Sequence, residues 1–326
     1  MHFTKIKQPD KNTLERLTLS KGQFSTRADV SFDQPLFSYV KRKIIRRFTS
    51  SPHCTLYFAE KNMHFGFAIL DFLEWDSKIF GFKIGRIENH LIKINHSSKL
   101  SFFNNIIQDC IEQQYDHINC RVGLKDFETL HVLERLGFNV MDVQITLTTE
   151  VGFQSNSFSC PDKLVIREAT ANDLDELKEI VRGAFTDTRF VIDTRYPKEG
   201  VDRLYFEWIK NSVLGSEESV FVAQDRYNGR LIGFLICKYD PDSEETLGLR
   251  IGSIDLIAIT KNYRNQGIGQ TVIKFALNKF KTKVDRVEIR TQVSNIPAIK
   301  AFMKGGFKEF SPGIMLPAGI YMHRWF

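Results

Sequence analysis

The stretch from Ser253 to Gly269 reads SIDLIAITKNYRNQGIG: an apolar strand, a short turn, then the start of an amphipathic helix. A strand, loop and helix joined this tightly present unpaired backbone N–H groups at a helix N-terminus. The helix dipole adds partial positive charge there, so the junction suits an anion such as a pyrophosphate. Gly267 and Gly269 allow a phosphate to approach the main chain closely. The loop is not GxxxxGK(S/T), which excludes a P-loop. It is not GxGxxG after a first strand, which argues against a dinucleotide-binding fold.

Alternating strand and helix periods flank this junction on both sides. Before it, strands are expected at Phe65–Phe72 and His117–Val122, with helices at Leu100–Gln114 and Thr129–Leu136, the latter ending at Gly137. After a Ser-, Asn- and Gly-rich stretch, VGFQSNSFSCPD, the pattern restarts at Lys163. Strands follow at Leu164–Arg167, Ser219–Gln224, Leu231–Tyr239, Ser253–Thr260, Val287–Gln292 and Ile320–Arg324. Helices follow at Asp173–Val181, Gln270–Lys281 and Pro297–Lys304. The expected division is an N-terminal extension of no assigned role (1–60), an N-terminal domain (61–150), a linker (151–162) and a C-terminal domain (163–326). A weak internal repeat links the halves. Ile118 to Phe138 lies on Val287 to Phe307 without a gap, matching Arg121 to Arg290, Asp126 to Asn295 and Gly137-Phe138 to Gly306-Phe307. Only the second copy follows a glycine loop.

Composition narrows the function classes. A chain of 326 residues, 42% hydrophobic and 26% charged, has room for two cored domains. No window approaches the roughly 18 consecutive apolar residues of a membrane span. No apolar run follows Met1-His2-Phe3-Thr4-Lys5, so a secretory signal is not expected. Cys54, Cys110, Cys120, Cys160 and Cys237 are scattered and never form a CxxC pair, which argues against a disulfide framework and against a metal site, and suits the cytoplasm. The net charge of +6 fits a phosphorylated small molecule as well as nucleic acid or an acidic surface. The run Lys41-Arg42-Lys43 with Arg46-Arg47 reads as a solvated helix face, and the 28 phenylalanines read as core packing rather than a stacking stripe for bases.

The motif Arg264-x-x-Gly267-x-Gly269 resembles the pyrophosphate loop of the GNAT superfamily of acetyltransferases. The likeness continues through Asp255-Leu256-Ile257-Ala258-Ile259, Asn295-x-x-Ala298 and Gly306-Phe307. It implies an α/β (mixed α+β) architecture, with a GNAT fold in the C-terminal half and a degenerate GNAT-like N-terminal half. It implies acetyl-CoA as co-substrate and no metal. The cofactor-binding residues it implies are Ile257, Ala258 and Ile259 on the strand for the pantetheine arm. The backbone of Arg264, Asn265, Gln266, Gly267, Ile268, Gly269 and Gln270 would hold the pyrophosphate, and Asn295 the far arm. A closer likeness, over roughly residues 65 to 326, is to TDP-fucosamine N-acetyltransferases. It is carried by Leu73-Glu74-Trp75-Asp76-Ser77 with Phe80-Gly81, Arg135-Leu136-Gly137-Phe138, Ala184-Phe185-x-x-x-Arg189-Phe190 leading to Tyr205-x-x-Trp208-Ile209, and Thr291-Gln292. It implies transfer of an acetyl group to the primary amine of a nucleotide-linked amino deoxysugar; no nucleic acid partner and no membrane span are expected. The alternatives are another amine, such as an amino acid or a protein N-terminus, or a non-catalytic acyl-CoA-binding protein.

Acetyl transfer to an amine needs a proton acceptor and a departing thiolate. Asp142 is one candidate base, against a solvated loop carboxylate. Asp255, inside an apolar strand, is its rival, against a buried ion-pair partner. The resembling family's usual thiol acid is a tyrosine seven residues after Asn295. Here that residue is Phe302, which has no proton to give; either another group such as Tyr321 or Tyr263 replaces it, or water does, or the chain is a weak catalyst. Arg189, Tyr205 and Trp208 are candidates for the acceptor: an arginine for a diphosphate, aromatic faces for a sugar or base. Trp208 alternatively belongs to a core stripe with Leu204 and Ile209. Trp75 is the acceptor candidate from the N-terminal half, or a strand-end turn.

Overall fold

Phe102, Phe103, Ile106, Ile107 and Cys110 form one face of a helix, and Ile268, Val272, Ile273, Ala276, Leu277 and Phe280 form the same kind of face on another. Each face covers a sheet and organises its own core. The computed structural model describes residues 2–7, 34–50, 53–61, 64–93, 95–151, 158–308 and 319–326. In chain order its elements are β1 (His2–Lys7), α1 (Gln34–Ser50), β2 (Cys54–Lys61), β3 (His64–Phe72), α2 (Glu74–Phe80), β4 (Ile84–Lys93), α3 (His96–Glu112), β5 (His117–Gly123), α4 (Phe127–Arg135) and β6 (Asn139–Glu150). There follow β7 (Leu164–Glu168), α5 (Leu174–Val181), α6 (Arg189–Ile192), α7 (Lys198–Leu214), β8 (Glu218–Asp225), β9 (Leu231–Asp240), α8 (Pro241–Leu247), β10 (Ile251–Ile259), α9 (Ile268–Phe280), β11 (Arg286–Gln292), α10 (Ile296–Gly305) and β12 (Gly319–Trp325).

Two compact units result, Met1–Asp142 with Gly319–Phe326, and Val143–Ala318. In the first, the strand order is β1-β2-β3-β4-β5-β12, antiparallel except for the parallel pair β4 and β5. The α3 face packs on Tyr57, Ala68, Leu70, Ile87, Ile118 and Cys120. Each phenylalanine sealed there stabilises by about 1.5–3 kcal/mol. Arg47 of α1 donates to Asp71 of β3 at 2.5 Å and pairs with Glu88 of β4, which pins that helix to its sheet. In the second unit the order is β6-β11-β10-β9-β8-β7, antiparallel except for the parallel pair β10 and β11. Ile145, Leu147, Val287, Ile289 and Ile254 supply the floor beneath α9 and α10.

The units repeat one plan, and the repeat runs well beyond Ile118–Phe138. A short helix links the second and third strands of the run β2-β3-β4 and again of β8-β9-β10. It ends in left-handed glycines, Gly81 (φ 81°) and Gly248 (φ 65°). The aligned Asp126 and Asn295 do the same work: each accepts a bond from the backbone N–H three residues on, Thr129 and Ala298, at the start of α4 and α10.

The division of the chain departs from the expected one in three places. Residues 2–7, 34–50 and 54–60 supply β1, α1 and most of β2, so the described part of the first 60 residues belongs to the N-terminal unit rather than to a separate extension. β6 pairs with β11, from Gln144–Gln292 to Glu150–Arg286, and so serves the C-terminal unit. β12 pairs with β5, from Gly319–Gly123 to Trp325–His117, and serves the N-terminal one. Strand periodicity reports which face of a strand is buried, not which distant strand lies beside it. Within the expected linker, residues 152–157 lie outside the described residues. No disulfide joins the described cysteines. No described helix is long and apolar enough to cross a membrane.

Candidate active site

β10 and β11 run parallel only from Ile251–Arg286 to Ile254–Ile289, where their register ends. β10 continues to Ile259 against β9 alone, and β11 continues to Gln292 against β6 alone. Along β10 the ladder alternates sides. The Thr260 N–H donates to Ile232 O of β9 at 2.8 Å, so the main-chain groups of Ile257 and Ile259 turn the other way, toward the opening. The amide and carbonyl of Ala258 turn to β9, where its oxygen would stand 2.7 Å from a Cβ at Gly233.

The chain leaves β10 through a 3-10 turn at Lys261–Tyr263 and enters α9. Asn265 (φ 61°) and Gly267 (φ 78°) are both left-handed, and such alternation of backbone hand gathers successive N–H groups into an anion-binding concavity. No side chain caps α9. Asn265, Gln266 and Gly267 are exposed, and nothing stands within 4 Å of a Cβ built on Gly267. Arg264 donates from Nε to Ile259 O at 2.9 Å, fixing the turn to the end of β10. The corresponding helix of the other unit, α3, is closed by its own residue: Asn95 Oδ1 accepts from Ser98 N at 2.9 Å.

Asp255 sits where a β-bulge interrupts the β9–β10 register, between Ile254 and Leu256. Its carboxylate is enclosed by side chains yet keeps partial exposure. Burial pushes its pKa above the usual carboxylate range, against the Ser253 hydroxyl, Arg290 and Lys238, which pull it down; Glu218 adds to the rise. Ser253 donates to Asp255 Oδ1 at 2.6 Å. The sequence reading passed over Ser253. Its signal was a polar residue two positions before Asp255 in an otherwise apolar strand, hence on a buried face.

The other candidates are dispersed. Asp142 lies in β6, buried, rather than in a solvated loop. Tyr321 lies on β12 in the N-terminal unit, its ring under the Arg121 guanidinium at 5.3 Å. Trp75 is on α2 of that unit and 39% exposed. In the C-terminal unit Arg189 covers the Phe190 ring at 4.1 Å, and Tyr205 is buried and stacked on Phe185 at 4.2 Å. Trp208 is half-buried on α7. Tyr263 is committed elsewhere: its hydroxyl donates to Asp225 at 2.9 Å and accepts from Asn228. Asn295 Oδ1 is likewise committed to the α10 cap at 3.2 Å. Phe302 is 4% exposed and packs in the core, 6.5 Å from Phe307.

Residues 174–307, which hold the opening, the loop and Asp255, match the family model for the acetyltransferase (GNAT) family. The chain carries a GNAT acetyltransferase domain. It is therefore an acyltransferase, of the N-acetyltransferase type, in a family whose co-substrate is acetyl-CoA. The fold is shared with a GCN5-related N-acetyltransferase from Sphaerobacter thermophilus, at a TM-score of 0.67 and 12% identity over 99% of this chain and 95% of that one. It is also shared with a tandem GNAT protein from the clavulanic acid biosynthesis pathway, at 0.59 and 11% over 99% and 98%. In sequence the chain is similar to the dTDP-fucosamine acetyltransferase of Escherichia coli O6:H1, 20% identical over 240 residues, or 73% of this chain and 93% of that protein. It is similar to N-alpha-acetyltransferase 30 of Schizosaccharomyces pombe, 36% identical over 94 residues, or 28% of this chain and 59% of that protein.

Proposed function

We propose that this GNAT acetyltransferase moves the acetyl group of acetyl-CoA onto the primary amine of a nucleotide-linked amino deoxysugar. The observation that carries the transfer chemistry is the parting of β10 and β11, with the uncapped start of α9 beyond the end of β10 and Asp255 one residue past the last β10–β11 pair. The likeness to dTDP-fucosamine acetyltransferase over most of both chains supports the acceptor class. In this reading the pyrophosphate lies on the N–H groups of Arg264 to Gln270. The pantetheine arm pairs with Ile257 and Ile259 as an added strand would. The amine nitrogen attacks the thioester carbon, Asp255 takes the amine proton, and the C–S bond breaks to release the thiolate of coenzyme A. The raised pKa of Asp255 strengthens it as a base near neutral pH. Phe302 offers no proton, and a thiol of pKa about 8.5 departs tolerably as its anion. Arg189 is assigned to the acceptor diphosphate, and Tyr205 and Trp208 to its sugar or base.

The likeness of part of the chain to N-alpha-acetyltransferases favours a second reading, a peptide N-terminus as acceptor. The two separate in one assay. Release of free thiol from acetyl-CoA is followed with a dTDP-linked 4-amino-4,6-dideoxyhexose, with free amino acids and with short peptides. The sugar nucleotide is expected to give the highest kcat/KM; a peptide that outruns it overturns the sugar assignment.

A further inference from the structure

We propose that Ser253 is a positioning residue for the transfer, whose buried hydroxyl holds the Asp255 carboxylate charged and oriented for the acceptor amine. This rests on the assignment of Asp255 as the proton acceptor. Three observations carry it. Ser253 is fully buried, at 0% exposure, so its hydroxyl has no bulk water to bond and must find its partner within the protein. It donates to Asp255 Oδ1 at 2.6 Å, the short length of a charge-assisted O–H bond to a carboxylate. The β-bulge between Ile254 and Leu256 adds a residue to this strand just where the two side chains meet, and such an insertion re-aims the residue it displaces.

The electrostatic surroundings make this hydroxyl matter. Asp255 is faced by Arg290 from β11, by Lys238 and the Cys237 thiol from β9, and by Glu218 from β8. Of these, Glu218 opposes the charge of Asp255, and Lys238 is itself paired with Glu218 at 3.6 Å. Enclosure disfavours a carboxylate. The Ser253 hydroxyl is a donor directed to one oxygen of Asp255, and it leaves the second oxygen to meet the amine. A carboxyl that lost this donor would hold its proton to higher pH and would be a base in fewer molecules below that pH.

The test is the ratio of kcat/KM for Ser253→Ala to that of the native enzyme across pH, with acetyl-CoA and a dTDP-linked 4-amino-4,6-dideoxyhexose. The free substrate amine titrates identically with both proteins, so the ratio isolates the enzyme group. The expected ratio is about 0.1 at low pH, the effect of losing one hydrogen bond to a charged group, and it climbs to near 1 at high pH. Ser253→Thr, which keeps the hydroxyl, is expected to stay near 1 throughout. Acetyl-CoA affinity by calorimetry is expected to be unchanged in both. A ratio that is flat with pH, whether at 1 or below it, overturns the proposal, because a merely structural serine would lower the rate equally at every pH. Asp255→Asn, run alongside, tests the underlying assignment. If it retains native turnover, Asp255 is not the base. If it loses turnover while the Ser253→Ala ratio stays flat, only the role of Ser253 fails.

Discussion

At the scale of single residues, three substitutions follow from the site. Gly269→Asp places a carboxylate in the first turn of α9. A Cβ at Gly269 would meet only Ile259 Cγ1, at the ordinary distance of 3.8 Å, so the fold accepts it. An acidic residue at a helix start even favours the helix. Calorimetry is expected to show acetyl-CoA affinity lower by about 100-fold or more, since several bonds to charged oxygens, each about 1.5–3 kcal/mol, are displaced, while Tm holds or rises. Phe302→Tyr is expected to supply no useful acid. At 4% exposure the new hydroxyl would be buried in the core beside Phe307. Burying it unpaired costs about 1–3 kcal/mol, so a melt should show a lower Tm and single-turnover rates should show no gain. Asp255→Asn should separate stability from activity. The folded chain holds the Asp255 proton more tightly than the unfolded chain, whose pKa is near 3.8. Between those two values the native state carries more protons, so stability falls as pH rises through the window, and the full penalty persists above it. The asparagine variant should therefore melt higher than native at neutral pH, lose that advantage below about pH 4, and turn over slowly. The glycines, Arg264 and Asp255 were legible in the sequence because each breaks a local rule. The engagements of Tyr263, Asn295 and Phe302 were not, because each depends on a neighbour that no spacing specifies.

At the scale of elements, β3, α3, β5, α4, β7, α5, β8, β9, β10, α9, β11, α10 and β12 were readable because each amphipathic face answers to a single buried side, whereas β4, β6, α2, α7 and α8 were not assigned from the sequence. The Ile118–Phe138 and Val287–Phe307 alignment was a true sign of repetition, as the matching caps at Asp126 and Asn295 show. What the alignment left open was whether both copies hold a cofactor. The capping of α3 by Asn95 against the uncapped α9 bears on that directly. An N-terminus already satisfied by its own side chain has one fewer donor to offer an anion. One acetyl-CoA per chain is expected in a calorimetric titration. Asn95→Ala should cost about 1 kcal/mol in stability and leave both stoichiometry and affinity as they were. A stoichiometry of two would mean that the N-terminal unit binds the cofactor as well.

At the scale of the whole molecule, β6 and β12 decide what a fragment can do. A piece cut at Lys163, where the sequence pattern restarts, lacks β6. It loses Ile145, Leu147 and Val151 from the core of the C-terminal unit, about 5 to 9 kcal/mol together, against a total stability of about 5–15 kcal/mol. It also bares the edge of β11. Circular dichroism is expected to show a cooperative melt for residues 143–318 and none for residues 163–326. The sheets also impose an order on synthesis. A ribosome delivers the chain N-terminus first, and tandem domains ordinarily fold one after another as they emerge. Here the first sheet lacks its last strand until Gly319–Trp325, made after the whole of the second sheet, has emerged. β6, made early, waits for β11. A nascent chain released before Gly319 is therefore not a finished first domain with a tail. It carries an unpaired β5 edge, the surface on which sheets of different molecules join, so translational pauses between β5 and β12 are the moments at which this protein is most exposed to aggregation.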